Sequence, residues 1–224
     1  MPRTSRLRGL EKPAPTSDRQ RSAESERGTL QIQNVVASVI FSERIDLEKI
    51  AAAFRDVERR DNFPGLVLKL SNPKTTILLF KSGKMILTGL KSRENAAIAV
   101  TRILKNFSKI GIDIKSEPII EIQNIVASGD LGKQVDLDEA SIVLERTIYE
   151  PEVFPGLIVR ALDPKACFLV FSSGKIVCTG LRTEKDLVVA VKKMACELKD
   201  KNLLLDRTAP KHLVPKQKIA KATE

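Results

Sequence analysis

The sequence predicts an α+β fold in which two tandem, pseudo-symmetric repeats share one curved antiparallel sheet, with helices on its convex face. Three observations predict it. The stretch FPGLVLKLSNPKTTILLFKSGKMILTGLK from Phe63 to Lys91 returns as FPGLIVRALDPKACFLVFSSGKIVCTGLR from Phe154 to Arg182, and a period of this length marks a structural repeat. Each copy orders its elements the same way, as strand, helix, strands, helix, which suits an antiparallel sheet with helices on one side. Finally, the central hairpin is apolar on both faces. Ile77, Leu79, Met85 and Leu87 share one face, and Leu78, Phe80, Ile86 and Thr88 share the other. A strand with one wet face alternates apolar and polar residues, so the second face is either sandwiched or held open for an apolar-tolerant ligand.

The elements follow in chain order. Residues 1–28, with seven Lys and Arg against four Asp and Glu and few large apolar residues, read as a disordered basic N-terminal tail. The first repeat spans residues 29–115. Leu30 to Phe41 is a β-branched-rich strand, with Asn34, Val36 and Ser38 on one face and Val35, Ala37 and Val39 on the other. Asp46 offers an N-cap, and Leu47, Ile50, Ala51, Phe54 and Val57 recur at helical spacing, predicting a helix to about Arg60. Asp61-Asn62 and Pro64-Gly65 bracket Phe63 in a turn, Leu66 to Leu70 is a strand, and Asn72-Pro73 is a turn. The hairpin follows, closed by Lys81-Ser82-Gly83-Lys84. Ser92 caps a helix from Arg93 to Lys109 whose apolar set is Ala97, Val100, Leu104 and Phe107, with Gly111 as its C′ residue. Ile112, Ile114 and Ile119 lead into a linking strand.

The second repeat spans residues 116–205. IEIQNIVASGDL matches LQIQNVVASVIF and sets Asn124 on Asn34 and Val126 on Val36; the offset is 90 there and 91 from Phe63 onward. Asp136 and Leu137 open a helix continued by Ala140, Leu144 and Ile148. Thr183 with Asp186 caps the last helix, whose stripe is Leu187, Val188, Val191, Ala195 and Leu198. Residues 206–224 form a second basic tail, with five Lys and Arg against two Asp and Glu.

Net charge and side-chain inventory narrow the function. A charge of +10 and a pI near 9.6 point to a polyanionic partner. His212 is the one histidine and lies in the tail, which removes His-based triads and general bases. Cys167, Cys178 and Cys196 lack metal-ligand spacing, and their use fits a reducing compartment. No apolar run approaches the ~20 residues of a membrane span. The chain therefore reads as a binding protein rather than an enzyme, with no catalytic cluster, metal, cofactor, small-molecule ligand or membrane.

Joined edge to edge, the two copies would expose a platform with Asn34, Val36, Leu78, Phe80, Ile86 and Thr88 on one half. Asn124, Val126, Leu169, Phe171, Val177 and Thr179 answer them on the other. Lys69, Lys84 and Lys91, and in matching places Arg160, Lys175 and Arg182, would rim it with cations. An apolar sheet rimmed by cations suits the opened minor groove of duplex DNA, with sugars and base edges on the sheet and phosphates at the rim. Phe63 and Phe80 are 17 residues apart, as are Phe154 and Phe171, so each half brings two rings together as a wedge. The amides of Asn34 and Asn124 would donate to adenine N3 or thymine O2, while Val36 and Val126 leave no room for the guanine amino group. Thr88 and Thr179 add two hydroxyls.

These residues resemble the TATA-box-binding protein family. The matching pieces are QNVVAS and QNIVAS, the two FPG turns, NPKTTILLFKSGKMILTG and DPKACFLVFSSGKIVCTG, and YEPEVFPG, and the resemblance covers about Leu30 to Leu204. The resemblance implies a saddle that binds and sharply kinks A·T-rich TATA promoter DNA from the minor groove. It implies intercalation by Phe63, Phe80, Phe154 and Phe171, base-edge contacts from Asn34, Val36, Thr88, Asn124, Val126 and Thr179, and an apolar groove surface from Leu78, Ile86, Leu169 and Val177. It implies phosphate contacts from Lys69, Lys84, Lys91, Arg160, Lys175 and Arg182. It also implies recruitment of a B-type transcription initiation factor, through Glu150, Glu152 and Val153, and of an RNA polymerase assembly. Phe-Pro in both repeats resembles archaeal members, hence a cytoplasmic, nucleoid location (nuclear in a eukaryote). Leu90 and Leu181 stand where the family has alanine, and the first-repeat loop VERRDNFPG lacks the Tyr-x-Pro-Glu of the second. A second reading stays open: a family paralogue that uses the same face as a regulatory protein-interaction module.

Overall fold

The computed structural model describes residues 30–206; the two expected tails, apart from Asp206, lie outside the described residues. The first repeat comprises β1 (Gln31–Ile40), α1 (Leu47–Ala53), β2 (Val57–Arg59), β3 (Gly65–Ser71), β4 (Lys74–Phe80), β5 (Lys84–Leu90) and α2 (Arg93–Lys109). The second comprises β6 (Ile119–Asp130), β7 (Gln134–Val135), α3 (Leu137–Val143), β8 (Thr147–Ile148), β9 (Gly156–Leu162), β10 (Lys165–Phe171), β11 (Lys175–Leu181), α4 (Glu184–Asp200) and β12 (Leu204–Leu205). Ten strands form one antiparallel sheet in the order β2-β3-β4-β5-β1-β6-β11-β10-β9-β8. That order reads as two copies of one half-sheet joined at β1 and β6. The join is reciprocal: Asn34 pairs with Val126, Val35 with Ile125, and Val36 with Asn124. A pseudo-dyad therefore passes through the Val35–Ile125 pair.

The period-2 pattern predicted in the hairpins holds. Ile77, Leu79, Met85 and Leu87 are fully buried under the helices, while Leu78, Phe80, Ile86 and Thr88 are half-exposed on the opposite face. The second hairpin repeats this, with Phe168, Val170, Ile176 and Cys178 buried and Leu169, Phe171, Val177 and Thr179 half-exposed. All four helices lie on the buried side, so the excess apolar face of each strand is open. Leu90 and Leu181, the departures from the family pattern, face the helices and not the platform. They are buried beneath the dyad, paired with Val35 and Ile125.

The caps read from sequence form. Asp46 Oδ1 accepts from the amides of Glu48 and Lys49 at 3.1 and 3.2 Å, Ser92 Oγ from Asn95 at 3.2 Å, and Thr183 Oγ1 from Asp186 at 3.0 Å. Each such cap is worth about 1 kcal/mol. Gly111 adopts φ +69°, and the amides of Gly111 and Ile112 return to Ser108 and Phe107, closing α2 with a left-handed residue.

Two expectations are corrected. The helix predicted to reach Arg60 stops at Ala53, because Phe54 turns extended (φ −110°, ψ 130°). Its ring packs against Phe107 at 6.4 Å between centroids. Val57–Arg59 instead pairs with Leu66–Leu68, covering the edge of β3. In the second copy, likewise, Ile148 belongs to β8 and not to a helix. The buried stripes of the long helices are also rotated. In α2, Ala96, Ala99, Val100, Ile103 and Phe107 are buried, whereas Ala97 is exposed and Leu104 half-buried. In α4, Leu187, Ala190, Met194 and Leu198 are buried and Val188 is exposed. α2 buries two alanines, Ala96 and Ala99, and α4 one, Ala190, among larger apolar side chains. Among the described residues, no helix is long and apolar enough to cross a membrane.

Candidate nucleic-acid interface

The open face of the sheet is built from the dyad outward. At its centre stand Asn34 and Val126 on one side of the dyad, and Val36 and Asn124 on the other. The amide orientation of each asparagine is set by its neighbours. Asn34 Oδ1 accepts from the Gly89 amide at 2.7 Å, and Asn124 Oδ1 accepts from the Gly180 amide at 2.9 Å. A backbone N–H requires an acceptor, so the carbonyl is committed and the NH2 group must point the other way. One N–H of each NH2 reaches the neighbouring threonine, Asn34 to Thr88 at 3.4 Å and Asn124 to Thr179 at 3.1 Å. The second N–H of each remains a donor on an apolar, half-exposed surface. The two glycines that do this hold φ +89° and +96°, where a side chain is rarely tolerated. Sequence reasoning passed over them; the repeated Thr-Gly dipeptide was the available signal.

Away from the dyad the surface is aliphatic. Leu78 pairs with Ile86, and Leu169 with Val177. Two further residues on this face were missed: Thr76 and Cys167 sit directly across from Thr88 and Thr179. Strict alternation along β4 and β10 would have found them.

The phenylalanines end up paired as expected. Phe63 and Phe80 lie edge to face with centroids 5.3 Å apart, and Phe154 and Phe171 likewise at 5.8 Å. All four rings are half-exposed. The glycine of each FPG turn seats the pair. A Cβ at Gly156 would lie 2.7 Å from Phe154 Cε1 and 3.0 Å from Phe171 Cε1, and one at Gly65 would lie 2.9 Å from Phe63 Cε1. Since the pseudo-dyad reverses the strands, the first pair lies at one strand-end edge of the sheet and the second at the opposite edge.

Lys69, Lys84, Lys91, Arg160, Lys175 and Arg182 are all exposed. Two have local partners. Lys91 Nζ donates to the Gln33 carbonyl at 2.7 Å, which holds it beside β1. Lys69 Nζ lies 3.8 Å from Glu58, whose carboxyl is bonded by Arg60 and held below the usual carboxylate range mainly by that bond. In the second half, Ile148 occupies the β8 position that corresponds to Glu58, an apolar side chain where the first half has a carboxylate. The halves are thus alike at the centre and different at the rim. Glu150, Glu152 and Val153 are exposed together in the turn before Phe154, with Val153 80% accessible. The amides of Val153 and Phe154 both bond the Glu150 carbonyl at 2.9 Å, which makes that turn compact.

Comparison with known proteins agrees with this geometry. The family model described as transcription factor TFIID (or TATA-binding protein, TBP) matches twice, over residues 29–110 and 119–201. A TATA-box-binding protein of Pyrobaculum neutrophilum is 46% identical over 174 residues, covering 77% of this chain and 88% of that one. One of Aeropyrum pernix is 45% identical, covering 79% and 87%. The solved structure titled Methanococcus jannaschii TBP superposes with a TM-score of 0.72 at 46% identity, covering 76% of this chain and 98% of that one.

Proposed function

The chain belongs to the TATA-binding protein family of transcription initiation factors, and from that premise we propose how its open sheet engages DNA. The face binds A·T-rich promoter DNA from the minor groove, as a site-selective binder and not as an enzyme. Asn34 and Asn124 donate to base-edge acceptors at the dyad, with Val36 and Val126 excluding the guanine amino group and Thr88 and Thr179 adding hydroxyl contacts. Leu78, Ile86, Leu169 and Val177 lie against the sugars. Phe63 with Phe80, and Phe154 with Phe171, enter the base steps at the two ends and kink the duplex. Lys69, Lys84, Lys91, Arg160, Lys175 and Arg182 meet phosphates. The exposed turn of Glu150, Glu152 and Val153 receives a B-type initiation factor, through which an RNA polymerase assembly is recruited.

The single observation that carries this reading is the commitment of both asparagine carbonyls to glycine amides, which leaves a pair of dyad-related donors on an otherwise apolar face. A groove floor rich in acceptors and poor in donors is the complementary surface, and that is the A·T minor groove.

The test is titration of a fluorescent TATA duplex with the full chain in moderate salt, with end-to-end energy transfer reporting the bend. Neutralising about six phosphates gives a log–log salt slope near −5. Equal affinity for A·T-rich and G·C-rich duplexes overturns the reading, and absence of both binding and bending favours a protein-interaction module on the same face.

A further inference from the structure

The two phenylalanine pairs stand at opposite corners of the platform. Phe80 ends β4 and Phe171 ends β10, on opposite sides of the dyad and at opposite strand ends. A duplex groove that runs from one pair to the other crosses the sheet diagonally, so each of its two backbones passes over one remaining side. Strand order assigns the cations to those sides. Lys84 opens β5 opposite Ile40, and Arg182 follows Leu181, which pairs with Ile125 at the dyad. Lys165 stands at the end of β10 remote from Phe171, and Arg160 lies on β9 across from Cys167. These four share one side of the diagonal. Their repeat mates Lys175, Lys91, Lys74 and Lys69 share the other.

All eight cations are exposed, but the sides differ in kind. Wherever two mates differ, the arginine falls on the same side: Arg160 answers Lys69, and Arg182 answers Lys91. They differ in local engagement as well. Lys69 lies 3.8 Å from Glu58, whereas Ile148 takes the place of Glu58 in the strand beside Arg160. Lys91 Nζ donates to the Gln33 carbonyl at 2.7 Å and to Gln33 Oε1 at 3.4 Å, whereas Arg182 makes no side-chain hydrogen bond or ion pair among the described residues. Lys175 pairs in register with Asp130, and Lys84 with the apolar Ile40. The arginine side has its own acid, Glu121, which stands across from Ser38 and accepts from the Gln123 amide at 3.3 Å. The contrast therefore rests on the cations themselves. A guanidinium offers phosphate two parallel N–H donors and is weakly hydrated, while an ammonium is a strongly hydrated point charge.

We propose that this face tells the two strands of a duplex apart, gripping the backbone over Arg160 and Arg182 and holding the backbone over Lys69 and Lys91 more loosely. A difference between the phosphates of the two strands then sets the direction in which the chain lies on a nearly symmetric element. This rests on the reading of the sheet as a minor-groove surface. Arg160 and Arg182 are the residues that determine the preference, because they reach phosphate with free, forked donors where their mates bring a lysine already engaged within the chain.

The probe is a self-complementary A·T-rich element between unlike flanks, so that the bases of the element set no direction. It is prepared unmodified and with uncharged methylphosphonate linkages through the element on one strand or the other. The protein is the full chain with an iron chelate tethered through Ser173→Cys, and with Cys167→Ser and Cys196→Ser. Ser173 is exposed in the turn after Phe171, so cleavage in low salt marks the end of the duplex under the second repeat. The unmodified duplex gives the reference ratio of cleavage at the two ends. With one strand neutralised, the chain turns to lay that strand over the lysines. A net hydrogen bond is worth about two- to twelvefold, so one extra bond from each of two arginines shifts the ratio by roughly 5- to 150-fold. Neutralising the other strand shifts it the opposite way. Arg160→Lys with Arg182→Lys returns both ratios to the reference. Reference ratios for the parent on both modified duplexes overturn the proposal, as does a shift that survives the double lysine change. If the chain does not bind the unmodified A·T-rich duplex, the minor-groove reading falls and takes this one with it. Binding with an unshifted ratio removes the strand preference alone.

Discussion

Replacing Asn34 with Asp separates the two jobs of one side chain. The carboxylate keeps the acceptor that Gly89 needs at 2.7 Å and accepts from the Thr88 hydroxyl, so folding stability changes by less than about 1 kcal/mol. The outward donor disappears and an anion takes its place. Losing the base-edge hydrogen bond costs about 1–3 kcal/mol in binding. Repulsion between the new charge and phosphates some 8 Å away adds about 1–2 kcal/mol at an effective dielectric of 20–40. The sum, about 2–5 kcal/mol, weakens binding to an A·T-rich duplex by roughly 30-fold to several thousand-fold. Fluorescence anisotropy at fixed salt measures this, with thermal unfolding as the control for fold. Asn124→Asp behaves the same way, because Gly180 and Thr179 hold Asn124 as Gly89 and Thr88 hold Asn34. Variants that unfold normally and bind within threefold of the parent would refute the assignment of these amides as base-edge donors.

Neighbouring leucines in β4 answer in opposite assays. Leu79→Ala, at 0% exposure, loses about 2–5 kcal/mol of stability in urea titration, whereas Leu78→Ala unfolds near the parent midpoint and binds the duplex more weakly. Glu43, held by the Ser116 hydroxyl and the Lys115 and Ser116 amides, has its pKa lowered from 4.5 to about 2. A depressed folded pKa stabilises above the unfolded value and is lost as pH falls through the folded one. The parent is therefore more stable than Glu43→Gln at neutral pH, and the gap closes between about 4.5 and about 2 in acid titrations followed by circular dichroism. Burial pushes the Cys178 thiol up to about 12, while Cys167 is half-buried and Cys196 exposed. At pH 8 a thiol reagent labels Cys196 and Cys167 and spares Cys178 until the chain unfolds, and A·T-rich duplex slows Cys167 alone, since it faces Thr179 on the open side.

Much of the candidate site was legible because strands have a period of two. Once Ile77 and Leu79 were assigned inward, Leu78 and Phe80 had to face out, and duplication supplied a second copy of every inference. The caps at Asp46, Ser92 and Thr183 were legible because each depends on atoms within three residues along the chain. Local pattern was insufficient where two solutions satisfied it equally. Val57 fits both a helical stripe and an edge strand, and its pairing with Leu68 decided for the strand. The apolar positions of α2 allow more than one stripe, and close packing on the sheet selected the one rich in alanine.

The sequence by itself determined the duplication, the two-faced hairpins, the helix starts and the identities of the paired phenylalanines and asparagines, since these follow from periodicity and short-range chemistry. Only the tertiary structure decided that β1 meets β6 with Asn34 against Val126 and Val36 against Asn124. It alone decided that glycine amides orient both asparagines. Those outcomes depend on register and strand order between residues some 55 to 90 positions apart, where local preference does not reach.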